Sequence, residues 1–450
     1  MTSPHLHGPL MQAMSFLRGL RRLLTIGLTA GVGLTVYAVG RVGTWFVFDA
    51  ERRRRAVARL RGRVLRQALT ALGPTFVKLG QVLSSRPDVL PPAMIDELQR
   101  LQDRLRPFAF RKVRRIIEQD LHAPLADHFR RFDVVPVAAA SVAQVHRAEL
   151  HDGTVVAVKV RRPGVRRQIE RDAALLLGVA RVASLHPKVR LSDPVAHLRQ
   201  LLQGVIDQTD LALEADHYAR FQRNFQDVSG VIFPSVFHAH SSPRVLTMSF
   251  IEGVKIDQLP AGNHDDIAEL VRNSFFKMCF EDGFVHADLH PGNLLVTPEG
   301  GLAILDAGLV KRFSEHFLDE FVSFSRCLVL GTPRDFVEHL RRFHPYLTNA
   351  DWDAVEHDIA ALMEKFQRQA SAELESSEFS NEVFALFRKH QIRPVPEITL
   401  VLVGSLTSEG IGKTLDPSRN TFRDISSYLL GVLLRRVAER DSPTPVVLEH

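Results

Sequence analysis

The chain has 450 residues, 45% hydrophobic and 24% charged, with a formal net charge of +6. That is ample to bury a core without covalent staples. Its two cysteines, Cys279 and Cys327, exclude a disulfide framework and a cysteine-rich zinc site. Their apolar, helical-looking surroundings predict two buried free thiols, which suits a reducing compartment.

Residues 23–40 carry no charge, and Trp45-Phe46-Val47-Phe48 extends the apolar character past Arg41. As a helix this stretch rises about 27 Å, close to the ~30 Å hydrocarbon thickness of a bilayer. Residues 23–48 are therefore expected to form a transmembrane or membrane-embedded helix after a basic tail, with a cleaved signal or transit peptide as the main rival and a buried soluble hairpin as the remaining alternative. Residues 51–66 then carry eight arginines against one glutamate. The positive-inside rule would keep the large carboxy-terminal part cytosolic or in a matrix. A basic cluster beside an apolar helix is attracted to anionic lipid, so a membrane surface is a better partner than nucleic acid. Gly27-x-x-x-Gly31 is a candidate helix-pairing face, which would admit a homodimer.

From residue 64 to 121 the apolar spacing is helical, interrupted at Pro74, Pro87, Pro91-Pro92 and Pro107. Residues 134–137, 142–149 and 154–160 then read as short strands, with a turn at His151-Asp152-Gly153. Helices are expected over 169–185 and 198–225, and strands over 231–237 and 244–250. A helix over 264–284 should end at Asp282-Gly283. Two strands, 294–296 and 302–305, flank the turn Pro298-Glu299-Gly300-Gly301. From residue 315 the pattern is helical until a polar tail at 441–450. Strands first and a helical second half with one embedded hairpin predict an α+β fold, a small β-rich lobe on a larger helical one.

The most informative stretch is His286-Ala287-Asp288-Leu289-His290-Pro291-Gly292-Asn293. An aspartate five residues before an asparagine is the spacing of a protein-kinase catalytic loop, with Asp near the nucleophile and Asn on a metal. Asp306, in Leu305-Asp306-Ala307-Gly308, falls where the kinase metal-binding aspartate would sit, and two such oxygen ligands can hold Mg²⁺. A rival reading makes His286, Asp288 and His290 a zinc or iron site, but no fourth ligand follows. Val156-Ala157-Val158-Lys159 has the form of the strand lysine that holds nucleotide phosphates. The segment before it, Ala138-Ala139-Ala140-Ser141, lies where a kinase carries its glycine-rich loop. Alanine disfavours the positive φ angles that glycine permits, so a different nucleotide pose is expected.

These motifs resemble the UbiB (aarF-domain) family of atypical kinases, with the match running over residues 69–417. Lys78-Leu79-Gly80-Gln81 is similar to its K-x-G-Q signature, within a segment continuing to Arg86-Pro87-Asp88. The alanine-rich loop, the H-A-D-x-H-P-G-N string, Glu409-Gly410 and Leu415-Asp416-Pro417 match in order. The resemblance implies a two-lobed kinase-like fold with an N-terminal helical extension and a membrane helix. Its implied boundaries are a tail to 22, a membrane helix to 48, a helical extension over 49–125, an N-lobe over 126–255, a helical C-lobe over 256–440 and the tail.

The family's roles carry over residue by residue. Gln208-Thr209-Asp210-Leu211-Ala212-Leu213-Glu214-Ala215 resembles E-x-D-x-x-x-E-A, making Glu214 the partner of Lys159. Asp288 would be the catalytic acid/base. Asn293 and Asp306 would hold Mg²⁺. Ala138, Ala139, Ala140, Ser141, Lys159 and Glu252 would bind ATP or ADP, and Lys78, Gln81 and Asp210 would belong to a lid. The implied function is an atypical kinase or ATPase supporting ubiquinone or other isoprenoid-lipid biosynthesis. The implied partners are membrane lipids, quinone precursors or their biosynthetic enzymes. The kinase-like part would lie in the cytoplasm at a bacterial inner membrane or in the mitochondrial matrix. Gln208 in place of the first acid, Ala307 in place of phenylalanine and Leu289 in place of proline depart from the pattern. They point to a divergent branch and keep a catalytically weak pseudokinase scaffold as the alternative. No A-P-E element follows Gly308 and no G-x-G-x-x-G follows a strand, which disfavours peptide phosphorylation in trans and flavin chemistry.

Overall fold

The computed structural model describes residues 7–46, 49–84, 90–101, 106–186, 194–260, 262, 264–343, 350–369, 376–392, 395–416, 428–432 and 435. Arg86-Pro87-Asp88, Pro417 and the tail lie outside the described residues, as do the last two residues of the expected membrane helix. The chain divides into two compact units. One holds residues 1–217 and 235–250, the other 218–234 and 251–450.

The first unit opens with helices α1 (His7–Gly43), α2 (Ala50–Leu72), α3 (Pro74–Ser84) and α4 (Pro92–Leu98), followed by α5 (Phe110–Asp120) and the short α6 (Leu125–His128). Among the described residues α1 alone is long and apolar enough to cross a membrane by length and composition. Strands β1 (Arg131–Phe132), β2 (Ala138–Ala139), β3 (Ala143–Glu149) and β4 (Val155–Arg161) come next. Helices α7 (Val165–Ala183), α8 (Pro194–Asp207) and α9 (Leu211–Asn224) follow, and α9 runs on into the second unit. With β6 (Val245–Ser249) the strands form an antiparallel sheet in the order β1-β3-β4-β6, β2 pairing with β3.

Alternation along β4 decides what each face of this sheet carries. Val156, Val158 and Val160 point to one side and are fully buried against Val113, Ile116 and Ile117 of α5. Each such aliphatic side chain contributes about 1.5–3 kcal/mol of burial. Lys159, between them in sequence, points to the other side.

Two expectations fail here. Residues 134–137 form no strand, and Val134, Val135 and Val137 are exposed in the connection from β1 to β2. The helix expected over 198–225 is two helices, broken at residues 208–210. There the Thr209 hydroxyl donates to the Ile206 carbonyl, and the Asp210 carboxylate accepts from the Ala212 N–H.

In the second unit β5 (Val231–Ile232), β7 (Val254–Lys255), β9 (Leu294–Val296) and β10 (Leu302–Ile304) form a sheet in the order β5-β10-β9-β7. Between β7 and β9 lie α10 (Asp265–Lys277) and β8 (Phe284–His286), and β8 pairs with β11 (Val310–Arg312). A π-turn over Met278–Asp282 follows α10 directly, and Gly283 closes it with a φ of 56°. The helical run expected over 264–284 thus ends where expected, at Asp282-Gly283, but its last turn is widened to a π-turn. Helices α11 (Glu315–Leu330), α12 (Pro333–Arg342), α13 (Trp352–Gln369), α14 (Ser376–Lys389) and α15 (Pro396–Leu415) complete the unit. The cysteines are buried free thiols, as expected.

Helices α10 and α15 pack closely because Gly404 has no side chain. A Cβ there would lie 2.3 Å from the ring of Phe275, itself buried. Gly404→Ala is therefore expected to lower stability by about 1–3 kcal/mol through overpacking. Gly410→Ala, on the same helix with nothing within 4 Å of the new atom, should not. Urea midpoints of the two variants check this, and equal effects would show that the α10–α15 contact is loose.

Candidate functional site

In the first unit the chemistry centres on Lys159. Strand β4 is hydrogen-bonded on both sides, to Val145 of β3 and Leu246 of β6, so the lysine projects from the middle of a sheet. Its Nζ donates to both oxygens of Glu214, at 2.7 and 2.8 Å. Glu214 is 2% exposed and sits in the first turn of α9, where a carboxylate is favoured by the helix dipole. The Lys159–Glu214 contact is the pairing that the resemblance implies.

The alanine-rich segment is a tight hairpin. Ala138 and Ala139 pair with Val145 and Gln144, the Ala140 N–H donates to the Ala143 carbonyl, and Ser141 is buried. Arg162 donates to the Ala140 carbonyl at 3.0 Å. No residue of this loop has a positive φ, the behaviour expected once alanine replaces glycine.

Helix α3 carries the K-x-G-Q residues beside that loop. Val82 packs with Val142 of the hairpin and with Val165, Ile169 and Val205. Gly80 is required by packing, since a Cβ would lie 2.4 Å from Leu101 and 2.6 Å from Leu69. Gln81 donates to the Leu101 carbonyl at 3.4 Å, and Lys78 is half-buried on the same helix. Asp210 accepts from Arg166 of α7 at 3.1 Å, a partner the sequence reading did not identify.

The second unit carries the other set. His286 ends β8 and is buried, which holds its pKa below the ordinary histidine value. Its neutral ring spans two segments: Nε2 donates to the Asp306 carbonyl at 3.0 Å and Nδ1 accepts from the Asp288 N–H at 3.3 Å. Asn293 donates from its side-chain amide to the Asp288 carbonyl at 3.1 Å, and its own carbonyl accepts from Leu305 N–H at 2.8 Å. That last bond sets Asn293 directly across the hairpin from the residue before Asp306. Asp306 has a left-handed φ of 58°, and its carboxylate accepts from the Gly308 N–H. Asp306 and the amide oxygen of Asn293 are hard oxygen donors of the kind Mg²⁺ takes.

The rival metal reading gains nothing from this geometry. His286 is committed through both nitrogens and His290 accepts from Gly292. Among the described residues no cluster of three or more His, Cys, Asp or Glu could hold a metal. Glu252 is exposed in the segment between β6 and β7. The positioning roles of His286, Arg162 and Arg166 were missed in the sequence, although His286 opens the most informative motif.

The family model for the ABC1 atypical kinase-like domain matches residues 100–339. The chain belongs to the ABC1/UbiB atypical kinase family. A Pseudomonas fluorescens relative named probable protein kinase UbiB is 33% identical over 397 residues, 84% of this chain and 73% of that one. An Arabidopsis thaliana relative named ACTIVITY OF BC1 COMPLEX KINASE 7, chloroplastic, is 31% identical over 395 residues, 86% of this chain. The chain spans 56% of the length of that second relative. A solved structure of Mycobacterium tuberculosis Rv3197 in complex with erythromycin shares the fold, with a TM-score of 0.51 at 21% identity. The likeness covers 75% of this chain and 87% of that one. The ABC1/UbiB fold is thus the α+β, kinase-like one expected, with helices preceding it.

Removing one partner of a buried pair strands the other charge and typically costs about 3–5 kcal/mol. Lys159→Met is expected to lose stability on that scale. Adding Glu214→Leu should restore most of it, because no buried charge is then left. Chemical unfolding of the two variants tests this; a double variant no more stable than the single one would show that Glu214 has other support.

Proposed function

We propose that this chain is a Mg-dependent nucleotide-binding ATPase or phosphotransferase that supports isoprenoid quinone biosynthesis at a membrane, from a divergent branch of its family. The observation that carries this reading is the Lys159–Glu214 pair, a lysine fixed by a carboxylate in mid-sheet. A cation held so is positioned for phosphate oxygens without losing side-chain entropy on binding. The alanine hairpin, with Ala138, Ala139, Ala140 and Ser141, covers the nucleotide, and Glu252 belongs to the same binding site. Asn293 and Asp306 hold Mg²⁺, which when bound neutralises developing phosphate charge. Asp288 orients the attacking oxygen or takes its proton. His286 keeps Asp288 and Asp306 in place. Lys78, Gln81 and Asp210 act from the lid elements.

Transfer to a protein substrate is disfavoured by the short path after Asp306. The chain enters β11 at Val310, pairs with β8, and reaches Ser314, the N-cap of α11. An activation segment of the protein-kinase type has no place there, so ATP hydrolysis or action on a lipid-like molecule fits better. The names of the two relatives, probable protein kinase UbiB and ACTIVITY OF BC1 COMPLEX KINASE 7, support kinase-type chemistry in general. Ala307, 1% exposed where phenylalanine is usual, favours the scaffold alternative.

Thermal unfolding with Mg-ATP or Mg-ADP tests binding, since ligand at 100 times its dissociation constant adds about 2.7 kcal/mol. A Mg-dependent shift lost in Asp306→Asn is expected, and no shift in folded protein would remove the nucleotide reading. Asp288→Asn should keep the shift and lose at least about 100-fold in ATP turnover on liposomes, as removal of a general base does. Unchanged turnover would leave the scaffold.

A further inference from the structure

Within the first unit, α1 and α2 form an antiparallel hairpin. Gly33 faces Val64 and Gly40 faces Leu60, and a Cβ on either glycine would press into that partner. The Tyr37 hydroxyl accepts from Arg61, and Ile26 packs with Leu65 and Leu69. At the far end Arg22 donates to both oxygens of buried Asp172 on α7 and to the Leu72 carbonyl. The half-buried positions described along α1 are therefore a narrow seam, Gly19, Arg22, Ile26, Thr29, Gly33, Tyr37 and Gly40, at the alternating spacing of paired helices. Everything off the seam is exposed and largely apolar: Leu24, Leu28, Val32, Leu34 and Val39 are between 57% and 73% exposed.

This arrangement is incompatible with α1 crossing a bilayer. The seam partner α2 carries Arg59, Arg61 and Arg63, all exposed, alongside the carboxy-terminal part of the apolar segment, where Arg61 meets Tyr37, and Arg52–Arg55 at its start. A spanning α1 would draw those guanidinium groups into hydrocarbon, where each is strongly disfavoured. Lying flat resolves the conflict. The open face of α1 enters the acyl boundary while the arginines stay level with headgroup phosphates. Trp45, 70% exposed at the hairpin tip, suits the same depth.

We propose that the α1–α2 hairpin docks as a closed unit in the interface of an anionic membrane, so that both ends of α1 stay on the side of the kinase-like domain. This rests on the reading that the protein works at a membrane, and adds how it is held there. Gly33→Cys with Val64→Cys tests it in the full chain, because the Gly33 Cβ would lie 3.2 Å from the Val64 Cγ1 that a thiol would replace. The oxidised, locked protein should float with phosphatidylcholine–phosphatidylglycerol vesicles as well as the reduced one does. It should bind about tenfold more weakly to phosphatidylcholine alone. Leu28→Glu should abolish flotation with unchanged thermal unfolding. Sidedness is read from Arg21→Cys and Arg54→Cys, each labelled with an impermeant maleimide after synthesis beside sealed vesicles. Both should react without detergent. Loss of flotation on locking, or an Arg21→Cys thiol reached only after detergent, would overturn the docked hairpin in favour of a spanning helix. Absence of flotation in the unmodified protein would overturn membrane docking itself and leave the nucleotide reading untouched.

Discussion

The first unit is organised around one buried ion pair. Lys159, with its side chain only 13% exposed in the middle of a sheet, is poorly solvated, so its charge needs a carboxylate, and Glu214 supplies one from the first turn of α9. For Glu214 to be in a first turn, the preceding helix has to stop. It stops at Thr209-Asp210, where Arg161, from the same face of β4 as Lys159, donates to the Thr209 carbonyl at 2.7 Å. Two cations of one strand thus fix both the break and the helix that follows it. Asp210 is tied in turn to Arg166 of α7, and α7 carries Asp172, the partner of Arg22. The position of Lys159 is therefore continuous, through charge pairs on α7, with the hairpin at the start of the chain.

The second unit solves a different problem, how to hold a residue in an unfavourable backbone conformation. Left-handed φ is uncommon outside glycine and asparagine or aspartate. Asp306 adopts it because its carbonyl is engaged by His286 and its neighbour Leu305 is bonded across the hairpin to Asn293. Strain of this kind persists only where the surroundings over-determine it, and it aims a carboxylate where relaxed extended backbone would not. A neutral His286 is needed for this. A protonated ring could not accept from Asp288 N–H, and its deep burial opposes that charge.

Much of this was legible in the residues. The turn Pro298-Glu299-Gly300-Gly301 placed the hairpin between Asn293 and Asp306, and Val156-Ala157-Val158-Lys159 marked β4 as the strand that carries the lysine. The break at 208–210 was not recognised. The apolar spacing of residues 198–225 is helical on both sides of it, and Thr209-Asp210, a normal helix-start signal, was read only as motif. Residues 134–137 misled for the opposite reason. Valine prefers strands, but Pro136 lacks an N–H for a ladder, and no neighbour is available to cover the side chains. His286 was legible as a residue and not as a role, since its value lies in two backbone groups that sequence spacing does not bring together.

The amino-terminal segment shows where hydropathy stops being informative. A window of uncharged residues long enough to span a bilayer is a statement about composition, and it gives every side of the helix equal weight. What decides the outcome is that glycines 33 and 40, with Ile26 and Tyr37, fall on one line, so that a second helix can approach closely there. That second helix is the most arginine-rich part of the chain. A lipid-seeking face and a partner that cannot leave water are joined along a single seam. In the docked arrangement proposed above, the two requirements meet at the boundary between the two phases.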